Sequence, residues 1–185
     1  MIDEIRADAD KRMGKSVESL QQAFARIRTG RANPSLLDGI EVPYYGTDTP
    51  LNQVASVTVE DARTLVISPW EKKLIPDVEK AILKSDLGLT PNSTSELIRL
   101  PLPALTEENR RDLAKQARQE AEHARVAIRN IRRDAISHVR DLVKDKDVAE
   151  DEAHRAEEAI QKLTDKRIAE VDKALESKEA DLMAI

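Results

Sequence analysis

The chain of 185 residues contains no cysteine, which excludes disulfides and thiolate metal sites and leaves a cytoplasmic home unopposed. Aromatic residues make up only 2%, so there are too few stacking platforms for sequence-specific reading of single-stranded nucleic acid. No apolar run approaches the length of a membrane span. The opening Met-Ile-Asp-Glu-Ile-Arg places acids where a signal peptide needs a basic start, so no membrane partner is expected. Positive charge is not in excess either. The net charge is −5, so any grip on nucleic acid must come from a local patch. The glycine patterns of P-loops and dinucleotide folds are missing, as is the serine context of hydrolases. His123, His138 and His154 lack metalloprotease spacing and read as surface or packing residues. An enzyme is therefore the weaker expectation, and no metal or cofactor site is called for.

What is present is a set of long periodic patterns, in a chain of 40% hydrophobic and 35% charged residues. Thr106 to about Val143 contains no Pro or Gly. Leu113, Ala117, Ala121, Ala124, Ile128, Ile131, Ala135, Val139 and Leu142 recur there at steps of three and four, the spacing of one helix face. On the helical wheel Arg111, Lys115, Arg118, Arg125, Arg129, Arg132, Arg133 and Arg140 fall within an arc of roughly 100° beside that face. A basic arc of this kind is commonly a solvated face. Here the bases are mostly Arg, within an acidic chain. Guanidinium stays charged and binds phosphate bidentately, so the arc suits a nucleic-acid backbone. A helical scaffold that binds another protein through the same surface remains the alternative.

A first helix is predicted from Ile2 to about Ile27, with Gly14 tolerated inside it and Gly30 as its C-cap. All eight prolines then fall between Pro34 and Pro103, with Trp70, Tyr44 and Tyr45. This middle segment reads as a small domain of β-strands and one short helix. Strands are expected at Ile40–Tyr44, Val54–Val59, Thr64–Ile67 and Leu97–Leu100, with residues 60–63 as a hairpin loop. The short helix starts at Pro76 and ends at Gly88. Thr106 caps the central helix, Lys144-Asp145-Lys146-Asp147 breaks it, and Asp147 with Glu150 restarts a third helix as a capping box. From Glu150 onward acids outnumber bases.

Three one-sided helices must bury their stripes together. The expected fold is therefore α+β with two domains: a long antiparallel three-helix bundle (residues 1–29 and 106–185) carrying an inserted small α/β, β-rich domain (30–105). The hinges fall near 29–31 and 102–106, at Thr29, Gly30, Arg31, Pro103, Ala104 and Leu105.

The stretch Ile27-Arg28-Thr29-Gly30-Arg31-Ala32-Asn33-Pro34-Ser35-Leu36-Leu37-Asp38 resembles the signature of the bacterial ribosome recycling factor family. So do Tyr44-Tyr45-Gly46, Pro69-Trp70, Asp86-Leu87-Gly88-Leu89, Ile98-Arg99-Leu100-Pro101, Leu105-Thr106-Glu107-Glu108 and Val126-Ala127-Ile128-Arg129-Asn130-Ile131-Arg132-Arg133-Asp134. The series covers the whole chain in order. The resemblance implies an L-shaped tRNA mimic that lies across the tRNA sites of the large ribosomal subunit. With elongation factor G, which uses GTP, it would split post-termination ribosomes into subunits. It implies rRNA contacts at Arg132 first, with Arg129 and Arg133 in the same motif. Arg125 on the same arc, and Arg31 and Arg110 beside the hinge, complete the candidates. A cytoplasmic monomer that binds no DNA is expected. Two departures stand out. Ser95 takes the place of a usual Gly, which bears on a tight turn, and Asn109 that of a usual Arg, which bears on one phosphate contact.

Overall fold

The computed structural model describes residues 1–184. It divides into two compact units. One comprises Met1–Phe24 and Ala114–Ala180; the other runs from Ala25 to Leu113 and takes in the chain from Asp181 onward. Three long helices supply the first unit: α1 (Ile2–Arg26), α4 (Glu107–Lys144) and α5 (Glu150–Met183). The second is built mainly from β1 (Glu41–Tyr44), β2 (Thr47–Pro50), α2 (Leu51–Val54), β3 (Ala55–Asp61), β4 (Thr64–Pro69), α3 (Ile75–Lys84), β5 (Asn92–Ser93) and β6 (Ile98–Pro101).

In the helical unit the apolar stripes face inward as their spacing requires. Met13, Ala117, Ala121, Ile128, Val139, Ile160 and Val171 have no exposed surface. Burying an Ile or Met of this kind is worth about 1.5–3 kcal/mol, so a change such as Ile128→Ala would cost about 2–5 kcal/mol. Much of the α4 stripe is alanine, which lets helices approach closely. Pairs along the grooves, Glu4 near His138 and Leu20 near Ala124, set α1 antiparallel to α4. The buried hydroxyl of Thr164 donates to the Ile160 carbonyl at 2.8 Å, so it does not leave an unmet polar group in the core. Gly14 has a packing role beyond being tolerated in a helix. A Cβ there would lie 3.3 Å from Arg167 Nη2, and Arg167 is held by Asp10 at 2.6 Å and Glu170 at 3.0 Å.

α4 ends as expected at the polar break, and by a specific device. Lys146 adopts φ 62°, its N–H donates to the Val143 carbonyl (3.0 Å), and the Asp147 N–H donates to that of Leu142 (2.9 Å). This is a Schellman closure with lysine where glycine is usual. It uses Asp147 on the outgoing helix, so the expected capping box of Asp147 with Glu150 does not form. The first bond of α5 runs from the Ala153 N–H to the Ala149 carbonyl. Thr106 does cap α4, its Oγ1 accepting the Asn109 N–H at 3.1 Å.

The second unit holds a four-stranded antiparallel sheet, ordered β3-β4-β6-β5, and a separate β1-β2 hairpin. Val42, Leu65, Ile67, Val78, Ile82, Ile98 and Leu100 are fully buried in one core, from alternate positions of the strands and one face of α3. Several local expectations need correction. Gly30 does not have a left-handed φ, and α1 stops at Arg26, where Ile27 buries and Arg28 turns to donate to the Pro103 carbonyl. Val54 lies in the short α2 and not in a strand. The β3–β4 loop is only Ala62-Arg63, because Asp61 pairs with Thr64 and its side chain accepts the Arg63 N–H at 2.9 Å. α3 ends at Lys84, closed by the Ser85 hydroxyl on the Ile82 carbonyl (2.6 Å), before Gly88. β2, β5 and α2 were not expected. Tyr45 and Gly46, with φ of 49° and 81°, form the two-residue link between β1 and β2. Ser95 sits in a tight turn that the Thr94 hydroxyl organises, accepting the Leu97 N–H at 3.2 Å. Its φ is not positive, so glycine is not required there.

Candidate nucleic-acid interface

The arginines of α4 stand along one flank, as the wheel requires, and that flank faces α5. The two helices meet in evenly spaced rungs. Arg118 pairs with Glu179 (3.6 Å), Arg125 with Asp172 (2.7 Å) and Arg140 with Glu157 (3.1 Å). At the remaining level the Arg132 Nη1 donates to the Gln161 Oε1 at 3.4 Å. Arg111 pairs with Glu107 of its own helix at 2.8 Å.

These contacts sort the candidates by how much charge they leave uncompensated. Arg125 is the most committed. Its side chain is 20% exposed, its Nε and Nη2 both reach Asp172 Oδ1, and its Nη1 reaches Glu122 at 3.2 Å. Burial alone would lower its pKa; the hydrogen bonds to Asp172 and Glu122 outweigh burial and raise it. Its charge is matched twice, which makes it a clamp between α4 and α5. Arg129 has one long contact, to Glu122 at 3.5 Å. Arg132 meets a neutral amide. Arg133 is exposed and has no hydrogen bond or ion pair among the described residues.

Next to this trio lies an open cleft of about 700 Å³, lined by Arg132, Arg133, Ile136, Ser137, Arg140, Asp141, Lys144 and Gln161. The lining holds four cations and one carboxylate, and even with Arg140 paired to Glu157 the balance is positive, a surface that attracts a polyanion. Fork-shaped guanidinium groups on a stiff helix suit phosphates spaced along a backbone. Among the described residues no three His, Cys, Asp or Glu side chains gather where a metal could sit. His123, His138 and His154 are all exposed.

Arg31 and Arg110 belong to the other unit. Arg31 is exposed, with its N–H on the Thr29 hydroxyl at 3.3 Å. Arg110 is half-buried and its Nε lacks a hydrogen-bond partner. Sequence reasoning passed over Arg28 beside them. Its guanidinium joins the two connecting segments through the Pro103 carbonyl, and burial lowers its pKa. The inner ends of those segments are tied as well. The Ala32 N–H donates to the Ala62 carbonyl and the Leu102 N–H to that of Arg63, both at 2.7 Å. Of the expected hinge residues, Thr29, Gly30, Arg31, Pro103, Ala104 and Leu105 lie outside regular helix or strand, and Leu105 is buried.

Fold and flank together define a class: a helical bundle with an α+β insertion and a partly uncompensated basic surface suited to a polyanion. Comparison with known proteins makes this specific. The ribosome recycling factor family model matches residues 20–183, and the chain belongs to that family. It is 60% identical to the ribosome-recycling factors of Saccharophagus degradans and Hahella chejuensis and 57% identical to that of Acinetobacter baylyi, each over the full length of both chains. A solution structure of a ribosome recycling factor superposes with a TM-score of 0.81 at 39% identity, covering 100% of this chain and 98% of the other. The T. thermophilus ribosome recycling factor, placed with E. coli elongation factor G on the E. coli post-termination complex, gives 0.70 at 46% identity with full coverage of both. No helix is long and apolar enough to cross a membrane among the described residues.

Proposed function

We propose that this chain binds the post-termination ribosome across the tRNA sites and, with elongation factor G, splits it into subunits for reuse. It contacts large-subunit rRNA through Arg132, Arg129 and Arg133. GTP is consumed by the partner factor, so this chain brings neither catalytic residues nor a cofactor and acts as a cytoplasmic monomer. The observation that carries the reading is the uneven compensation along α4. Carboxylates pair with Arg118, Arg125 and Arg140, and Arg129 shares Glu122 with Arg125, whereas Arg132 meets only an amide and Arg133 has no partner among the described residues, so those two keep most charge available for phosphate. Arg31 and Arg110 are secondary contacts beside the hinge. Arg125 serves mainly to hold α4 to α5, so that the flank stays stiff under load. The inserted domain and its two connecting segments receive the push of elongation factor G; its exposed Trp70 and Tyr45 give that partner amphipathic rings to press on.

Cosedimentation with purified large subunits across a salt series tests the binding half. Affinity should fall steeply with salt, and Arg132→Ala should reduce it. A flat salt response would return the flank to the protein-scaffold reading. Light scattering of post-termination ribosomes with elongation factor G and GTP tests the splitting half, and no change on adding this chain would sink it.

A further inference from the structure

Going from Arg118 to Arg125 to Arg132 takes two steps of seven along α4. Seven-residue steps back along α5 lead from Glu179 to Asp172 to Asp165. The first two rungs of this matched series close as ion pairs, at 3.6 and 2.7 Å, and the eight-residue step to Arg140 and Glu157 closes at 3.1 Å. By register Asp165 is the acid opposite Arg132, yet no ion pair joins them. The Asp165 carboxylate instead accepts the Gln161 Nε2–H at 2.9 Å, and Gln161 Oε1 accepts the Arg132 N–H at 3.4 Å. Only this orientation of the amide satisfies both neighbours, since a carboxylate needs a donor and a guanidinium an acceptor.

We infer that Gln161 is a positioning residue for the RNA-facing arginine: it diverts Asp165 from Arg132, so the guanidinium is aimed while its charge stays available for phosphate. The inference rests on the reading of Arg132 under Proposed function. It predicts that truncating Gln161 weakens RNA binding although Gln161 itself is uncharged and exposed. Without the amide, Asp165 pairs with Arg132 as the acids of the other rungs do, and phosphate must compete with it.

Ribosome cosedimentation of four variants tests this. Gln161→Ala should bind large subunits about two- to fivefold more weakly, the factor set by competition from an ordinary surface ion pair. Its salt slope should move by up to about one ion toward that of Arg132→Ala. Asp165→Asn added to Gln161→Ala should restore binding. That gain must exceed the gain from Asp165→Asn in the otherwise intact chain, which measures the general effect of removing a negative charge. Unchanged binding of Gln161→Ala would overturn the inference, as would equal gains from Asp165→Asn in both backgrounds. If Arg132→Ala itself binds normally, the rRNA reading of Arg132 fails first and takes this inference with it.

Discussion

Arg125 and Arg132 sit seven residues apart on one flank of α4, and their roles separate by experiment. Truncating Arg125 to alanine removes two hydrogen bonds to Asp172, at 2.7 and 2.9 Å, and one to Glu122 at 3.2 Å. The side chain is 20% exposed but Asp172 is 55% exposed, so water re-solvates the acid left behind. That holds the loss at the low end for charged hydrogen bonds, about 1.5 kcal/mol. For a chain of this size the melting temperature should fall by about 3–6 °C. Arg132→Ala removes one bond of 3.4 Å to a neutral amide, so its stability should stay within about 0.5 kcal/mol of the intact chain. Binding should show the opposite order. Losing a guanidinium–phosphate contact costs about 1.5 kcal/mol or more, at least about tenfold in affinity, for Arg132. Arg125→Ala should change affinity much less under conditions where it remains folded. Calorimetric melting beside ribosome cosedimentation reads both quantities. If Arg132→Ala melts lower than Arg125→Ala, or Arg125→Ala loses more binding than Arg132→Ala, the division of the flank into clamp and grip is wrong.

Lys146→Gly should raise the melting temperature by about 2 °C. It relieves a left-handed lysine costing about 1–2 kcal/mol, offset in part by the greater freedom of glycine in the unfolded chain; a lower melting temperature would refute the Schellman account. Gly14→Ala should gain well under the ~1 kcal/mol that helix propensity offers, because its Cβ would crowd Arg167, and should gain more in an Arg167→Ala background; equal gains would mean the notch is unused. The cluster of Tyr44, Glu71 and Lys73 should make the stability of the second unit pH-dependent at both extremes. Burial would raise the Glu71 pKa, but hydrogen bonds from Tyr44, Lys73 and Tyr45 outweigh it and hold the group below its ordinary 4.5, so its contribution is present above that value and lost as pH falls through the lowered one. The hydrogen bond to Glu71 raises Tyr44 above 10.0, and that to Tyr45 raises Lys73 above 10.5, so their contributions are lost as pH rises through those higher values. Acid melting curves of the intact chain and Glu71→Gln should therefore converge as pH falls; parallel curves would refute this.

The long elements were legible because each rests on many residues that agree. The α4 stripe is carried by nine positions, and no single one decides it. The elements that were missed, β2, β5 and α2, are four residues or fewer and carry little periodic signal. Helix ends were read less well because each end depends on one or two groups with competing options. Gly30 offered a left-handed cap that the chain does not use, while Lys146 adopts that conformation against its own preference. The Schellman bonds to Leu142 and Val143 hold Lys146 there, and residue type alone gives no sign of them.

The candidate site was half legible for a different reason. A helical wheel fixes the direction of each arginine about its own axis, and that part of the reading holds in the structure. It does not say which neighbour occupies that direction. Arg118, Arg125, Arg132 and Arg140 look alike on the wheel, yet three of them meet a carboxylate and one meets an amide. The missing signal was present in the chain as a relation between two helices: acids at 179, 172 and 165 repeat with the same period as arginines at 118, 125 and 132. A short turn forces α4 and α5 antiparallel, so equal periods on facing flanks imply rungs. Placing those rungs needs the register, which Lys146 and the bonds around it set. Charge pattern on one helix therefore bounds where a polyanion could bind, and only the facing helix decides which of those charges are still free to do it.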